Sequence, residues 1–539
     1  MWQRKRDCTI PEVMRAVREA FPEQPALRYP FRDLSWTFAQ LDARTLEAAR
    51  GLHSLGVRKG DRVTVWAENL PDWIVLQIAL ARLGAILVTA NTALKAPEIE
   101  YLLRQSESSV VCYSAGMSGN SYPQALEQIR SRLPRLKLEI FLGRQGELPQ
   151  GSPALEFKDL FRHAAATPET TVATLEASQD PDEVINMQYT SGTTGFPKGV
   201  MLTHRNLVNN AHFLGKALDY RPGERLALTL PLFHCFGCVV GTLGAYVSAV
   251  TICAIDRFDP EQAVELVARE RCNIIYGVPT QFRQMLEVAS RGRHDLTSLR
   301  AGIMGGAPCP EELVRRLVTE FHVPQMVAAY GLTECSPGVT INDPADSIEK
   351  RSQTVGKVID DGIQIRVVDP TTLLEVGRGL PGELQVRGHC VMKGYYNDPK
   401  ATAETILEGG WLRTGDLAIL CSDNYVRIVG RIKEMIIRGG ENVYPAEVEE
   451  ALRRHPAVRD VAVFGVSCEI YGEEVRAAVL TFPDKSVTEG ELRAFARERM
   501  AGIKVPSRFH FVDLFPMTAS GKVQKFQLAR MFGPVPRSP

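Results

Sequence analysis

An α/β fold is predicted, on three observations. Up to about residue 345, helical apolar periodicity alternates with short apolar runs, as at 74–82 then 85–89 and 260–270 then 273–277. Such alternation implies parallel sheets covered by helices. From 355 to 430 the texture changes to short strands with turns (IQIRVVD, GELQVRG, LAILCSDNYVRIVG), which reads as a smaller β-rich lobe. Beyond it the pattern runs helix 446–454, strand 458–466, strand 474–482, helix 489–500 and strand 508–514. That is a compact α+β domain able to fold by itself. Its boundary is expected near Arg431-Ile-Lys433-Glu434, just before the flexible Arg438-Gly-Gly440.

The whole chain sets limits on function. At 539 residues it exceeds one core, so two to four domains are expected. With 63 basic and 63 acidic residues, nothing suggests a nucleic-acid footprint or a polybasic membrane anchor. The opening MWQRKRDCTIPEV has cations but no apolar h-region behind them, so no secretory signal is expected. Residues 226–255 carry no Asp, Glu, Lys or Arg, long enough to span a bilayer. Pro231, His234, Gly237, Gly241 and Gly244 interrupt the run, and buried core is the expectation: strand, loop, small-residue helix, strand. No transmembrane segment is expected. The eleven scattered cysteines form no disulfide framework, which favours a reducing, cytoplasmic compartment. Cys235 and Cys238 stand in C-x-x-C spacing beside His234, but a zinc site needs a further ligand and usually a second pair. They are expected to be small packing residues.

One stretch points to phosphate. YTSGTTGFPKGV (189–200) combines three glycines, hydroxyl residues and a single lysine. Glycine loops cost conformational entropy and belong where backbone passes close to something. Hydroxyls and N–H groups can wrap phosphate oxygens while an ammonium neutralises charge. The P-loop pattern fails, because Lys198 follows Pro197 and precedes Gly199. Strands on both sides, 184–189 and 199–203, make the stretch a strand–loop–strand unit.

Further motifs follow in order: GIMGGAP (302–308), YGLTE (330–334), WLRTGD (411–416), GRIKEMIIRGGENVYP (430–445) and SGKVQK (520–525). With these in place, the chain resembles the adenylate-forming, or AMP-binding, superfamily of acyl-CoA synthetases and ligases, over about 37–530. VMKGYYNDPKAT, MIIRGGENVYPAE and PMTASGKVQKFQL most resemble the medium-chain and related fatty-acyl-CoA synthetases. The resemblance implies an AMP-binding domain over 1–430, with the β-rich lobe at about 350–430, and a mobile C-terminal domain over 431–539. It implies ATP, Mg²⁺ and coenzyme A. Thr190, Ser191, Gly192, Thr193, Thr194, Gly195, Phe196, Pro197 and Lys198 would hold the β- and γ-phosphates. Gly306, Ala307, Pro308 and Tyr330 would sandwich adenine. Thr333 would bond the α-phosphate, and Glu334, with Thr190, would hold the metal. Asp416, helped by Arg431, would accept from the ribose hydroxyls. Lys522 would stabilise charge during adenylation. His234, a catalytic candidate with Thr333 and Lys522, would with Cys238, Gly302 and Gly305 also line the acyl slot. Lys433 would be the hinge, and Arg438, Gly439 and Gly440 the loop that serves the thiol step.

The physical chemistry agrees with these roles. A carboxylate resists attack until joined to a leaving group, and transfer to AMP gathers negative charge on phosphate. Catalysis is then mostly positioning and electrostatics. The expected reaction is activation of a medium- to long-chain fatty acid to acyl-AMP with release of pyrophosphate, then transfer to CoA. Other readings are an aryl- or other carboxylate-CoA ligase, an amino-acid-type adenylation enzyme, and an inactive scaffold on the same fold. An ammonium substrate would lack a partner, because 234–238 contains no acid. The intact motifs oppose a scaffold. Partners are expected to be small molecules, with no nucleic acid, and a homo-oligomer stays open.

Overall fold

The computed structural model describes residues 7–117, 119–143, 147–190, 196–292, 294–468, 470–517 and 523–533. They divide into two compact units, one running to Gln364 and including Val386–Leu412, the other made of Ile365–Gln385 and the chain from Arg413.

In the first unit, the expected helix–strand alternation builds two large sheets. The centre of one is parallel: Arg225–Leu228 lies between Thr251–Ala254 and Ile274–Gly277, followed by Ala301–Gly305 and Gln325–Gly331. The other sets Ile86–Thr89, Arg62–Trp66, Val110–Tyr113 and Leu138–Phe141 side by side and parallel, with Val184–Thr190 joining at Ile86–Thr89. Antiparallel strands finish the edges, Gly338–Ile341 and the hairpin of Pro25–Tyr29 with Leu34–Thr37 among them. The alternation rule does not foresee Leu34–Thr37 and Gly338–Ile341, because each pairs antiparallel with the strand before it rather than across a crossover helix.

Helices Pro260–Glu270, Pro279–Ala289 and Glu311–Thr319 place Val264, Val267, Phe282, Met285, Leu313 and Leu317 against Ile275, Met304 and Met326. Each such fully buried side chain stabilises by about 1.5–3 kcal/mol. The uncharged run 226–255 is core, as expected: strand, loop, helix and strand, the helix being a π-helix over Phe236–Leu243. Among the described residues, no helix is long and apolar enough to cross a membrane.

Three neighbouring parallel strands have glycine at their carboxyl ends, Gly277, Gly305 and Gly331. Open α/β sheets bind ligands outside those ends. Gly331 has a local reason to be glycine. A Cβ there would sit 1.8 Å from the Pro337 carbonyl oxygen, where no side chain fits.

In the second unit, Val458–Cys468 and Gly472–Thr481 form a long antiparallel hairpin, with Arg508–Phe511 parallel to the latter. Period-two alternation splits its faces. Val461, Val463 and Val479 meet Val448, Leu452, Leu492 and Ala496 of helices Pro445–Arg453 and Glu489–Arg497. Ala462, Phe464 and Ala478 meet Leu528 of helix Lys525–Phe532 on the other side. The helix and strand positions read from the sequence hold here, the first three within a few residues at either end. The last helix and strand stop three residues earlier than expected.

Candidate active site

The glycine loop is carried as expected by two strands. Val184–Thr190 and Lys198–Thr203 pair antiparallel from Val184↔Thr203 to Thr190↔Lys198. Ser191, Gly192, Thr193, Thr194 and Gly195 lie outside the described residues. The loop's exit is anchored from below: Tyr101 stacks on the exposed ring of Phe196 at 5.1 Å and donates its hydroxyl to the Pro197 carbonyl at 3.1 Å. At its base, the Lys198 ammonium lies 5.1 Å from the ring centre of Tyr395, over its face.

Tyr395 is the residue the sequence reading missed. Gly394–Tyr395 pairs with Lys198–Thr203 at the sheet edge, and the Tyr395 hydroxyl donates to Glu334 at 2.9 Å. Burial first, and then the Glu334 carboxylate, push the phenol well above its ordinary range, so it stays a donor. Glu334 is further fixed by its carbonyl, which accepts from Met392 N–H at 2.9 Å. One phenol thus bridges the expected phosphate-loop cation and the expected metal-holding carboxylate. The only available signal was the aromatic pair in KGYY.

Thr333, buried, sits one residue before Glu334 on a 3₁₀ turn after strand Gln325–Gly331. The structure brings His234 close to it: the Cys235 sulfur lies 3.7 Å from both Thr333 Oγ1 and His234 Nδ1. His234 Nδ1 also accepts from Phe236 N–H at 3.2 Å. Buried Asn69 sets this loop, its amide donating to the Leu230 carbonyl at 2.9 Å and accepting from Leu232 N–H at 2.8 Å. Asn210 similarly clamps the following turn through both backbone groups of Gly338, at 2.7 and 3.0 Å. Neither asparagine stands in a motif, and periodicity gives no hint of either.

Gly305 pairs with Ala329, so Gly306 and Tyr330 each follow that pair by one residue. Gly306 takes φ +79°, a left-handed turn suited to glycine, and Gly306, Ala307 and Pro308 are exposed beside the half-buried Tyr330. Flat exposed backbone next to an aromatic face suits a purine. Where a Gly305 side chain would begin, the ring of Phe236 comes within 3.4 Å, and Phe236 stacks on Tyr276 at 5.7 Å. Gly302 behaves differently. Its Cβ position is 2.6 Å from the Met326 methyl and 2.7 Å from the Ile275 carbonyl, so its lack of a side chain makes room for core packing. The expectation that Gly302 lines a slot is corrected accordingly. Cys238 is buried, and burial above all drives its thiol pKa far up, as expected of a packing residue. Among the described residues, no three His, Cys, Asp or Glu groups cluster to hold a metal. A single half-buried carboxylate such as Glu334 fits Mg²⁺, which keeps waters and takes one or two carboxylates plus substrate phosphates.

In the second unit, Asp416 and Arg431 face each other across the hairpin of Trp411–Leu420 and Val426–Arg431. Asp416 is 4% exposed, with Oδ1 2.9 Å from Arg431 Nε. Its backbone N–H donates to Thr414 Oγ1 at 3.1 Å, and Glu383, also buried, accepts from Gly415 N–H at 3.2 Å. Lys433 lies in the exposed 3₁₀ turn Ile432–Glu434, directly after this hairpin. Gly439 and Gly440, at φ +61° and +86°, close the two-residue turn between Arg438 and Glu441. Arg438 donates to the Ile503 and Val505 carbonyls at 2.7 and 3.2 Å. Lys522 lies outside the described residues.

The model of the AMP-binding enzyme family matches residues 14–396, and that of the AMP-binding enzyme C-terminal domain matches 447–522. YngI of Bacillus subtilis (strain 168), named provisionally as an acyl-CoA synthetase, is 40% identical over 533 residues, 96% of each chain. The mitochondrial medium-chain acyl-CoA ligase ACSF2 of Mus musculus is 36% identical over 96% of this chain and 87% of its own. The crystal structure of the anthranilate CoA ligase AuaEII in complex with anthranoyl-AMP superposes with a TM-score of 0.86 at 27% identity, covering 98% of both chains.

Proposed function

Because the chain belongs to the AMP-binding enzyme family of acyl-CoA synthetases, we propose that it activates a medium- to long-chain fatty acid in two steps. The acid attacks the α-phosphorus of ATP, forming acyl-AMP and releasing pyrophosphate; the thiol of CoA then displaces AMP. The loop 190–198 wraps the departing pyrophosphate, with Lys198 neutralising charge. Thr333 holds the α-phosphate, Gly306–Pro308 and Tyr330 hold adenine, and Asp416 with Arg431 holds the ribose. Glu334, oriented by Tyr395, holds Mg²⁺, which supplies charge neutralisation at the phosphates. Lys522 acts in the first step, and the Arg438-Gly439-Gly440 loop in the second, the C-terminal domain from 431 turning at Lys433. A cytoplasmic location rests on the cysteines, which are scattered through the sequence with no disulfide framework.

The fatty-acid reading rests on one observation. The segment 234–238 carries no acid, and beside it Gly305 faces the ring of Phe236, which stacks on Tyr276. Each buried CH₂ contributes about 0.8 kcal/mol, or about fourfold in affinity per carbon. Measured across acids from acetate to palmitate, kcat/KM should climb steeply and peak at about C6–C10. Gly305→Trp should move the peak toward shorter acids, since an indole must take space beside Phe236. A parent that prefers acetate or an amino acid to octanoate contradicts the fatty-acid reading. The same stacked rings favour a second reading, an aryl acid, and a benzoate arm in the series separates the two.

A further inference from the structure

Helix Pro71–Leu83 is buried along almost its whole length and apolar apart from its ends, except for one amide, Gln77, itself 6% exposed. A buried amide costs free energy unless its hydrogen bonds are met. Among the described residues, Gln77 meets them on the π-helix Phe236–Leu243. Its Nε2 donates to the Cys238 carbonyl at 2.8 Å, and its Oε1 accepts from Thr242 Oγ1 at 2.8 Å. The Thr242 hydroxyl is also 2.5 Å from the Cys238 carbonyl, so its single hydrogen is shared between two acceptors. From another element, buried Gln188 of strand Val184–Thr190 donates Nε2 to the Cys238 sulfur at 3.1 Å. Two glutamines on different elements therefore fix one residue of a wide helical turn.

π-Helical turns are rare and are found frequently at functional sites. Here Gln77 and Thr242 converge on the Cys238 carbonyl within such a turn. Two residues upstream is Phe236, whose ring rests on Tyr276 and against Gly305. We infer that Gln77 and Thr242 are specificity-determining positioning residues: by holding the π-turn at Cys238 they fix Phe236 as the wall that limits acid length. The inference rests on the slot reading above. Without the amide, the turn can tighten toward 3.6 residues per turn, which draws Phe236 off Gly305 and lengthens the slot.

The test is kcat/KM for even-numbered acids from C4 to C16, with the KM for ATP, in the parent, Gln77→Leu and Thr242→Val. Both variants should move the peak at least two carbons longer, raising the preference for that longer acid over the parent's optimum about sixteenfold. The KM for ATP should stay at the parental value, which separates slot geometry from general damage. Should Gln77→Leu fail to fold, Thr242→Val, which keeps the side-chain shape, decides alone. Folded variants whose profile is parental, or merely scaled down at every length, overturn the inference. A parent with no peak sinks the slot reading itself, and this inference with it.

Discussion

Lys522→Ala should lower adenylation by about 10²–10³-fold, the usual cost of removing one preorganised donor from a developing oxyanion. Thioester formation from preformed acyl-AMP should stay near the parental rate. The asymmetry follows from where charge develops. Joining carboxylate to AMP crowds negative charge around phosphorus, and the ammonium in the Ser-Gly-Lys segment is the cation proposed to meet it. Attack of the thiol on acyl-AMP expels a phosphate that is already formed and already bound, so the same ammonium contributes little. The check is acid-dependent ATP–pyrophosphate exchange for the first step and acyl-CoA formation from synthetic acyl-AMP for the second. Equal losses in both, from a folded variant, contradict the use of different residues for the two steps.

Lys433→Pro should do the reverse, retaining adenylation and losing acyl-CoA formation. Proline fixes φ near −65° and removes an N–H. Lys433 occupies the middle of the short turn Ile432–Glu434, immediately after the strand that carries Arg431. That turn is short and exposed, the kind of place where a few torsions absorb a rigid-body rotation. Proline also disfavours the helical region for the residue before it, here Ile432, so some loss of thermal stability should accompany the variant. Lys433→Ala is the control. It removes the same side chain but leaves the torsion free, and it should support both steps. If Lys433→Pro turns over like the parent, the pivot lies elsewhere.

Much of this was legible in the chain because local pattern and tertiary role coincide. The strands around the glycine loop were readable from apolar runs broken by Gly and Pro, and residues 190 and 198 do pair at its base. Asp416 and Arg431 came together because two short strands, each visible as a run, pair in a register that places them opposite. What was missed lies in contacts between elements distant in sequence. Tyr395 reaches Glu334 across 61 positions, and Gln77 reaches Cys238 across 161. Neither has a periodic signature, since a buried amide in an apolar helix looks like an interruption until its partner is known. Gly302 misled for a related reason. A glycine marks close approach, but only the fold tells whether the neighbour is a ligand or Met326.

The central claim is that the chain makes an acyl-adenylate from a fatty acid before CoA takes part. The most direct measurement is exchange of labelled pyrophosphate into ATP by the full-length protein, with octanoate and without CoA. Exchange that depends on octanoate, with AMP and octanoyl-CoA appearing in equal amounts once CoA is added, is the predicted result. No acid-dependent exchange in the absence of CoA, or release of ADP rather than AMP, would contradict the account.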